Sequence, residues 1–197
     1  AGDLTFLYEF CCVDHTLLYS LNLRHDQDQI QVAAGTIFGV VLVWSFTITD
    51  PATDRCPVQH RLIGHHGSVF GTVLSADGDR ICSVSDDRTV RTGSLSSAGL
   101  CTGIGYGHRS RVGHAVYLPD GILTAGEDGT VRIWDQTGSI LQSTIDAHSG
   151  NCWALTVHSG YQIIISGGED ADLRISRLDR HPSRTLSRPI HVEIAAL

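Results

Sequence analysis

Residues 107–135, GHRSRVGHAVYLPDGILTAGEDGTVRIWD, set the pattern on which the rest of the chain is built. The stretch opens on the pair Gly107-His108 and closes on Trp134-Asp135. Between them comes an alternating run with Ala115 and Tyr117, a Pro119-Asp120-Gly121 turn, and a second strand predicted to end at Glu127-Asp128-Gly129. Asp-Gly is a strong hairpin signal, because Gly tolerates the positive φ that such turns demand. A third strand is predicted over residues 131–134.

Three other segments line up with this one. Gly64-His65 is followed by Ser83 and Asp87, which stand in the same four-residue relation as Thr124 and Asp128. Ala147-His148 is followed by Ser166 and Asp170. An earlier unit ends at Trp44, with strands predicted over residues 29–36 and 40–46 and with Phe38 where the others have the turn Asp. The corresponding positions Trp44, Gly93, Trp134 and Ser176 lie 49, 41 and 42 residues apart. The long first interval is explained by an insertion over residues 50–55, a loop bearing Asp50-Pro51. Gly-His followed by Trp-Asp at a period of roughly 40–45 residues marks a propeller blade. The chain resembles the WD40 β-propeller family.

That resemblance implies an all-β fold and a role for the repeated polar residues. In the family a His, a Ser or Thr, an Asp and a Trp form a hydrogen-bonded chain through each blade, which here would be His108, Thr124, Asp128 and Trp134. Partial versions would be His65, Ser83 and Asp87 in one unit and His148, Ser166 and Asp170 in another. Each donor satisfied in a low-dielectric place avoids an orphan that would cost on the order of 1–3 kcal/mol. The expected units are residues 13–46, 64–95, 107–135 and 147–178, with 179–197 the start of a further blade or a tail. A weakly alternating strand is expected over 16–23, an outer strand somewhere in 1–12, and a last strand over 189–194. About four blades are visible. Blades of four strands rely on neighbours to bury both faces and usually close in larger rings, so the chain reads as part of a larger, seven-bladed propeller. The absence of any Met fits an excised piece, a processed product or an incomplete gene model.

Within the family, four phrases resemble one subfamily: VAAGTIFGVVLVW from Val32, GHHGSVF from Gly64, SVSDDRTVR from Ser83 and LPDGILTAGEDGTVRIW from Leu118. It is that of the large WD-repeat subunits partnering a tRNA ribose 2′-O-methyltransferase that modifies the wobble nucleotide. The resemblance implies a non-catalytic cytoplasmic scaffold with the methyltransferase as protein partner, tRNA engaged only indirectly, and no cofactor or metal of its own. A generic interaction scaffold in signalling or trafficking is the alternative. Partner contacts would fall on Phe70, Gly113 and Trp153, on Ser68, Arg111 and Asn151, and on Asp86, Glu127 and Glu169. Exposed aromatics beside an acidic rim suit a partner with basic patches, and a merely solvated acidic face is equally open. The units depart from the pattern at Gly93 and Ser176, where the Trp is missing, and at Gly113, where the neighbours have Phe70 and Trp153.

Composition sets outer bounds. With 21 Gly and 18% charged residues in 197, the chain suits many short strands. A net charge of −7 argues against wrapping nucleic acid unaided. None of the six Cys forms a C-x-x-C pair, which favours packed thiols over a disulfide framework or zinc site. The longest apolar run, residues 36–44, is far short of a membrane span, and no signal peptide is visible. Two signals are discounted. The run Gly103-Ile104-Gly105-Tyr106-Gly107 has no following helix and reads as a blade-connecting loop rather than a phosphate cradle. His60, His65 and His66 read as a blade residue with surface neighbours rather than metal ligands. No activated nucleophile is readable.

Overall fold

The computed structural model describes residues 16–47, 57–158 and 163–178. Described residues are all-β, in four antiparallel sheets whose strands follow chain order. Blade one comprises β1 (Leu18–Asp26), β2 (Gln29–Thr36), β3 (Val40–Thr47) and β4 (His60–Ile63). Blade two comprises β5 (Val69–Leu74), β6 (Arg80–Ser85), β7 (Val90–Ser94) and β8 (Leu100–Gly105). Blade three comprises β9 (Val112–Leu118), β10 (Gly121–Gly126), β11 (Thr130–Trp134) and β12 (Leu141–Asp146). Blade four shows β13 (Cys152–His158), β14 (Ile163–Gly168) and β15 (Leu173–Arg177). The expected strands at 1–12 and 189–194, and the insertion at 50–55, lie outside the described residues.

The first strands β1, β5, β9 and β13 carry most of the contact between successive blades, a propeller arrangement. The core is correspondingly divided into three slabs. The first joins Ala33, Val41 and Val43 of blade one to Val69, Leu74 and Ile81 of blade two. The second joins Cys82, Val84 and Val90 to Val112, Ile122 and Trp134. The third joins Leu123, Ala125 and Val131 to Ala147, Cys152 and Ile164. Neighbouring residues such as Ile81 and Cys82, or Ile122 and Leu123, thus enter different slabs, because side chains alternate across a strand.

The sheets extend past the units read from the sequence, which stop at the third strand. Each of blades one to three takes a fourth strand, and β8 absorbs Gly103, Ile104 and Gly105 of the supposed connecting loop. Close packing requires those glycines. A Cβ on Gly105 would stand 2.9 Å from Cζ3 of Trp134.

Blade one has no turn Asp, and its β2–β3 turn is held differently. The Thr36 hydroxyl donates to the Val40 carbonyl at 2.9 Å and accepts the Val40 N–H at 3.1 Å. The Ser68 hydroxyl donates to the Ile37 carbonyl at 3.0 Å, tying the turn to blade two. Ser20, Asn22 and Arg24 of β1 face blade two: the Leu74 N–H donates to Asn22 Oδ1 at 3.0 Å and Arg24 Nε to the Ala76 carbonyl at 2.7 Å. The alternate residues Leu21 and Leu23 are 64% and 66% exposed.

Candidate functional site

Two sets of residues were singled out by the sequence: the buried polar chains and one displayed face. In blade three the structure brings all four chain members together. His108, in the loop before β9, reaches Asp128 in the β10–β11 turn through Nδ1 at 3.1 Å and Thr124 of β10 through Nε2 at 2.8 Å. Trp134 Nε1–H donates to the same Thr124 oxygen at 2.8 Å. An ionised carboxylate can only accept, so a neutral imidazole carries its proton on Nδ1 and takes the Thr124 hydroxyl proton on Nε2. The backbone N–H of Arg109 adds a bond to Asp128 at 2.8 Å.

Blades two and four repeat this without the indole. His65 lies 2.9 Å from Asp87 and 2.9 Å from Ser83, and His148 lies 2.8 Å from Asp170 and 2.9 Å from Ser166. Two further columns escaped the sequence reading. Two residues after the turn Asp, the Thr89 and Thr130 hydroxyls donate to Asp87 and Asp128 at 2.7 Å each. Four residues after it stand Arg91, Arg132 and Arg174, of which Arg132 and Arg174 approach Asp128 and Asp170 at 3.6 Å. Laying the three units side by side would have shown both columns.

Burial pushes each turn carboxylate upward, and hydrogen bonds more than reverse it. Asp87 is held well below the usual carboxylate range by His65, Thr89 and the His66 N–H. Asp128 is lowered likewise by His108 and the Arg109 N–H. Asp170 is lowered to about 2 by the Ser149 N–H, His148 and the Asp172 N–H. Burial raises the thiols of Cys82 and Cys152, the latter to about 11, so both sit protonated within the core.

On the face expected to meet a partner, the charged residues are partly paired. Arg111 pairs with Glu127, its Nε donating to Oε1 at 2.7 Å, and its guanidinium lies 4.4 Å from the Phe70 ring centroid. Phe70 also packs against Tyr19 at 5.2 Å between centroids, so it is half-buried between a ring and a cation. Glu169 accepts the Asn151 N–H at 3.2 Å and Asp86 accepts from the Ser85 hydroxyl at 3.3 Å. Ser68 is spent on Ile37. Trp153, 49% exposed, remains open, and a Cβ on Gly113 would meet no atom within 4 Å.

The family model described as "WD domain, G-beta repeat" matches residues 56–92, 99–135 and 139–175. This chain belongs to the WD40 repeat family. The three matches cover the units that hold a His, a hydroxyl and an Asp; blade one, closed by Thr36, is not among them.

Curated relatives of this WD40 chain include proteins named "tRNA (34-2′-O)-methyltransferase regulator WDR6". The human one is 29% identical over 188 residues, spanning 87% of this chain and 16% of the relative. The Drosophila melanogaster one is 25% identical over 205 residues, spanning 95% of this chain and 20% of the relative. The chain thus spans a sixth to a fifth of the length of these relatives. Among solved structures, the computationally designed Ika4 protein superposes with a TM-score of 0.72 at 19% identity, covering 90% of this chain and all of that one, a likeness of fold alone.

Proposed function

We propose that this WD40 chain is a non-catalytic, cytoplasmic scaffold that holds a tRNA 2′-O-methyltransferase acting on nucleotide 34, the wobble position. The observation that carries this is the similarity, over most of the chain, to proteins named as regulators of that enzyme. The residues most like a catalytic set support a structural role instead. The imidazoles of His65, His108 and His148 are buried and each is held between a carboxylate and a hydroxyl within its own blade. The protein partner would meet Trp153, Phe70, Arg111, Asp86, Glu127 and Glu169, with tRNA engaged only through the enzyme. The same reading makes these four sheets part of a larger propeller, whose further blades would cover Leu21 and Leu23 of β1.

The test is a pull-down of the methyltransferase by the full-length protein, with 2′-O-methylation at nucleotide 34 mapped in cells lacking it. Methylation is expected to fall, and Trp153→Ala with Glu169→Lys to weaken capture without unfolding. Glu127 is a poor choice for charge reversal, because its loss would also release Arg111 from Phe70. Unchanged methylation in the deleted cells would eliminate this role and leave the generic scaffold.

A further inference from the structure

Three blades carry an arginine four residues after the turn aspartate, and one of the three is unlike the others. Arg132 approaches Asp128 at 3.6 Å and its Nε donates to Thr130 at 3.2 Å. Arg174 approaches Asp170 at 3.6 Å and Asp172 at 3.7 Å, though its own Nε is also left without an acceptor. In blade two Asp87 is taken by His65, His66 and Thr89, and Arg91 has no ion pair among the described residues. Its Nε is buried with no acceptor. The guanidinium lies over Gly64 much as that of Arg132 lies over Gly107, with Nη1 at 2.7 Å and 2.5 Å from the respective Cβ positions. The side chain is therefore in its repeat position, and what it lacks is a carboxylate.

This arginine borders a cleft of about 30 Å³ between blades one and two, lined by Val41, Leu62, Ile81, Ser83 and Gly93 among others. Blade two has Gly93 where blade three has Trp134; Leu62 of blade one takes part of the vacated space, and the cleft is what it leaves. In blade three the indole N–H donates to Thr124 and closes the corresponding space. Here Ser83 bonds to His65 and receives no indole, and it lines the cleft.

We propose that this cleft binds a carboxylate carried on a short aliphatic stem, supplied by a partner protein as an acidic side chain or a C-terminus. Arg91 would donate to the carboxylate, and Leu62 would pack on the stem. A guanidinium fork matches a planar carboxylate. Phosphate is disfavoured, because its three peripheral oxygens would find one cation, the Ser83 proton being committed to His65, between apolar walls. The net charge of −7 supplies no long-range attraction, so recognition is local and weak for a free ligand. The inference rests on blade two alone and stands whether or not the partner is a methyltransferase.

The test follows the Arg91 side-chain Nε–H resonance of the whole chain, assigned through its backbone, during titration with sodium butyrate, butyramide and inorganic phosphate. Butyrate is expected to shift it saturably in the millimolar range, while the neutral amide and phosphate leave it in place. In Arg91→Gln, checked for folding by circular dichroism, butyrate affinity read at Ser83 should fall by about 10-fold or more. N-acetyl-leucine and N-acetylglutamate N-methylamide then separate a terminal from a side-chain carboxylate, and binding of either supports the site. Butyramide or phosphate acting as butyrate does, or neither amino-acid probe binding, overturns it. The comparison of butyrate with butyramide needs no variant, so it decides even if Arg91→Gln fails to fold.

Discussion

Leu62 of β4 stands over Gly93 of β7, its Cδ2 3.0 Å from the point a Cβ on Gly93 would occupy. One blade later the sizes are exchanged: Gly105, at the position of Leu62, lies under the Trp134 indole, which stands at the position of Gly93. In blade four Ile145 and Ser176 occupy the same two positions, and Ile145 packs against a cluster that includes Ile164, the cross-strand partner of Ser176. The missing tryptophans are therefore matched by a larger residue on the preceding blade's outer strand. Interior packing at crystal-like density makes such pairs interdependent.

Gly105→Leu should accordingly destabilise by about 1–3 kcal/mol, since the indole has nowhere to go. Gly93→Trp should be destabilising alone and less so in a Leu62→Gly background. A double-mutant cycle by urea unfolding should give a coupling of about 0.5–3 kcal/mol for positions 62 and 93. Strict additivity would show that the two residues do not share one space.

Asp128→Ala should destabilise more than Asp87→Ala. Both strand a buried imidazole and hydroxyl, for about 1–3 kcal/mol. Only the first also disturbs a chain that continues to Trp134 and leaves Arg132, at 3.6 Å, without its carboxylate. Equal shifts in melting temperature for the two variants would contradict the idea that blade three holds the most complete network.

The residue after the turn Asp takes positive φ in every blade with that Asp: Arg88 at 68°, Gly129 at 74° and Ala171 at 61°. Only Gly adopts this region without steric penalty, and for other residues the cost is about 1–2 kcal/mol. Gly129→Ala would add a Cβ 2.4 Å from the His148 carbonyl oxygen as well. It should lower stability by more than about 1 kcal/mol, whereas Ala171→Gly should leave it unchanged or raise it slightly, because the freer unfolded chain offsets part of the gain. Chemical unfolding of the two variants checks the contrast in sign.

The inner three strands and the buried chains were legible because their chemistry is local and periodic. Gly-His, the four-residue step from Ser83 to Asp87 or from Thr124 to Asp128, and the Asp-Gly turn each announce themselves. The outer strands were not legible. LCTGIG and LQSTID alternate poorly, since β8 and β12 are exposed along much of their length and need no apolar face. The ion pair on the expected partner face was not legible for a different reason. Arg111 and Glu127 are 16 residues apart, and only the pairing of β9 with β10 shows that they neutralise each other. The space left at Gly93 reads as a simple loss until Leu62 is placed beside it.

Acid should unfold this protein through its turn carboxylates. Asp170 is lowered from its ordinary 3.8 to about 2, and Asp87 and Asp128 move the same way. An aspartate whose folded pKa lies below its unfolded value adds stability that is fully present above the unfolded value. Between the two values the unfolded chain binds protons that the folded one does not, so unfolding takes up protons and stability falls with pH. For Asp170 that window runs from about pH 4 to about pH 2, and for the other two it reaches lower. Urea unfolding followed from pH 6 downward should show little change above about pH 5 and a steep loss below about pH 4. Asp170→Asn should flatten part of that slope while lowering stability at pH 6, because its amide cannot stand in for the carboxylate toward His148 and the Ser149 N–H together. The remaining slope belongs to the other lowered carboxylates, Asp77, Asp79 and Asp135 among them. A pH profile identical in Asp170→Asn and the parent chain would show that the His148–Asp170 contact is not formed in solution.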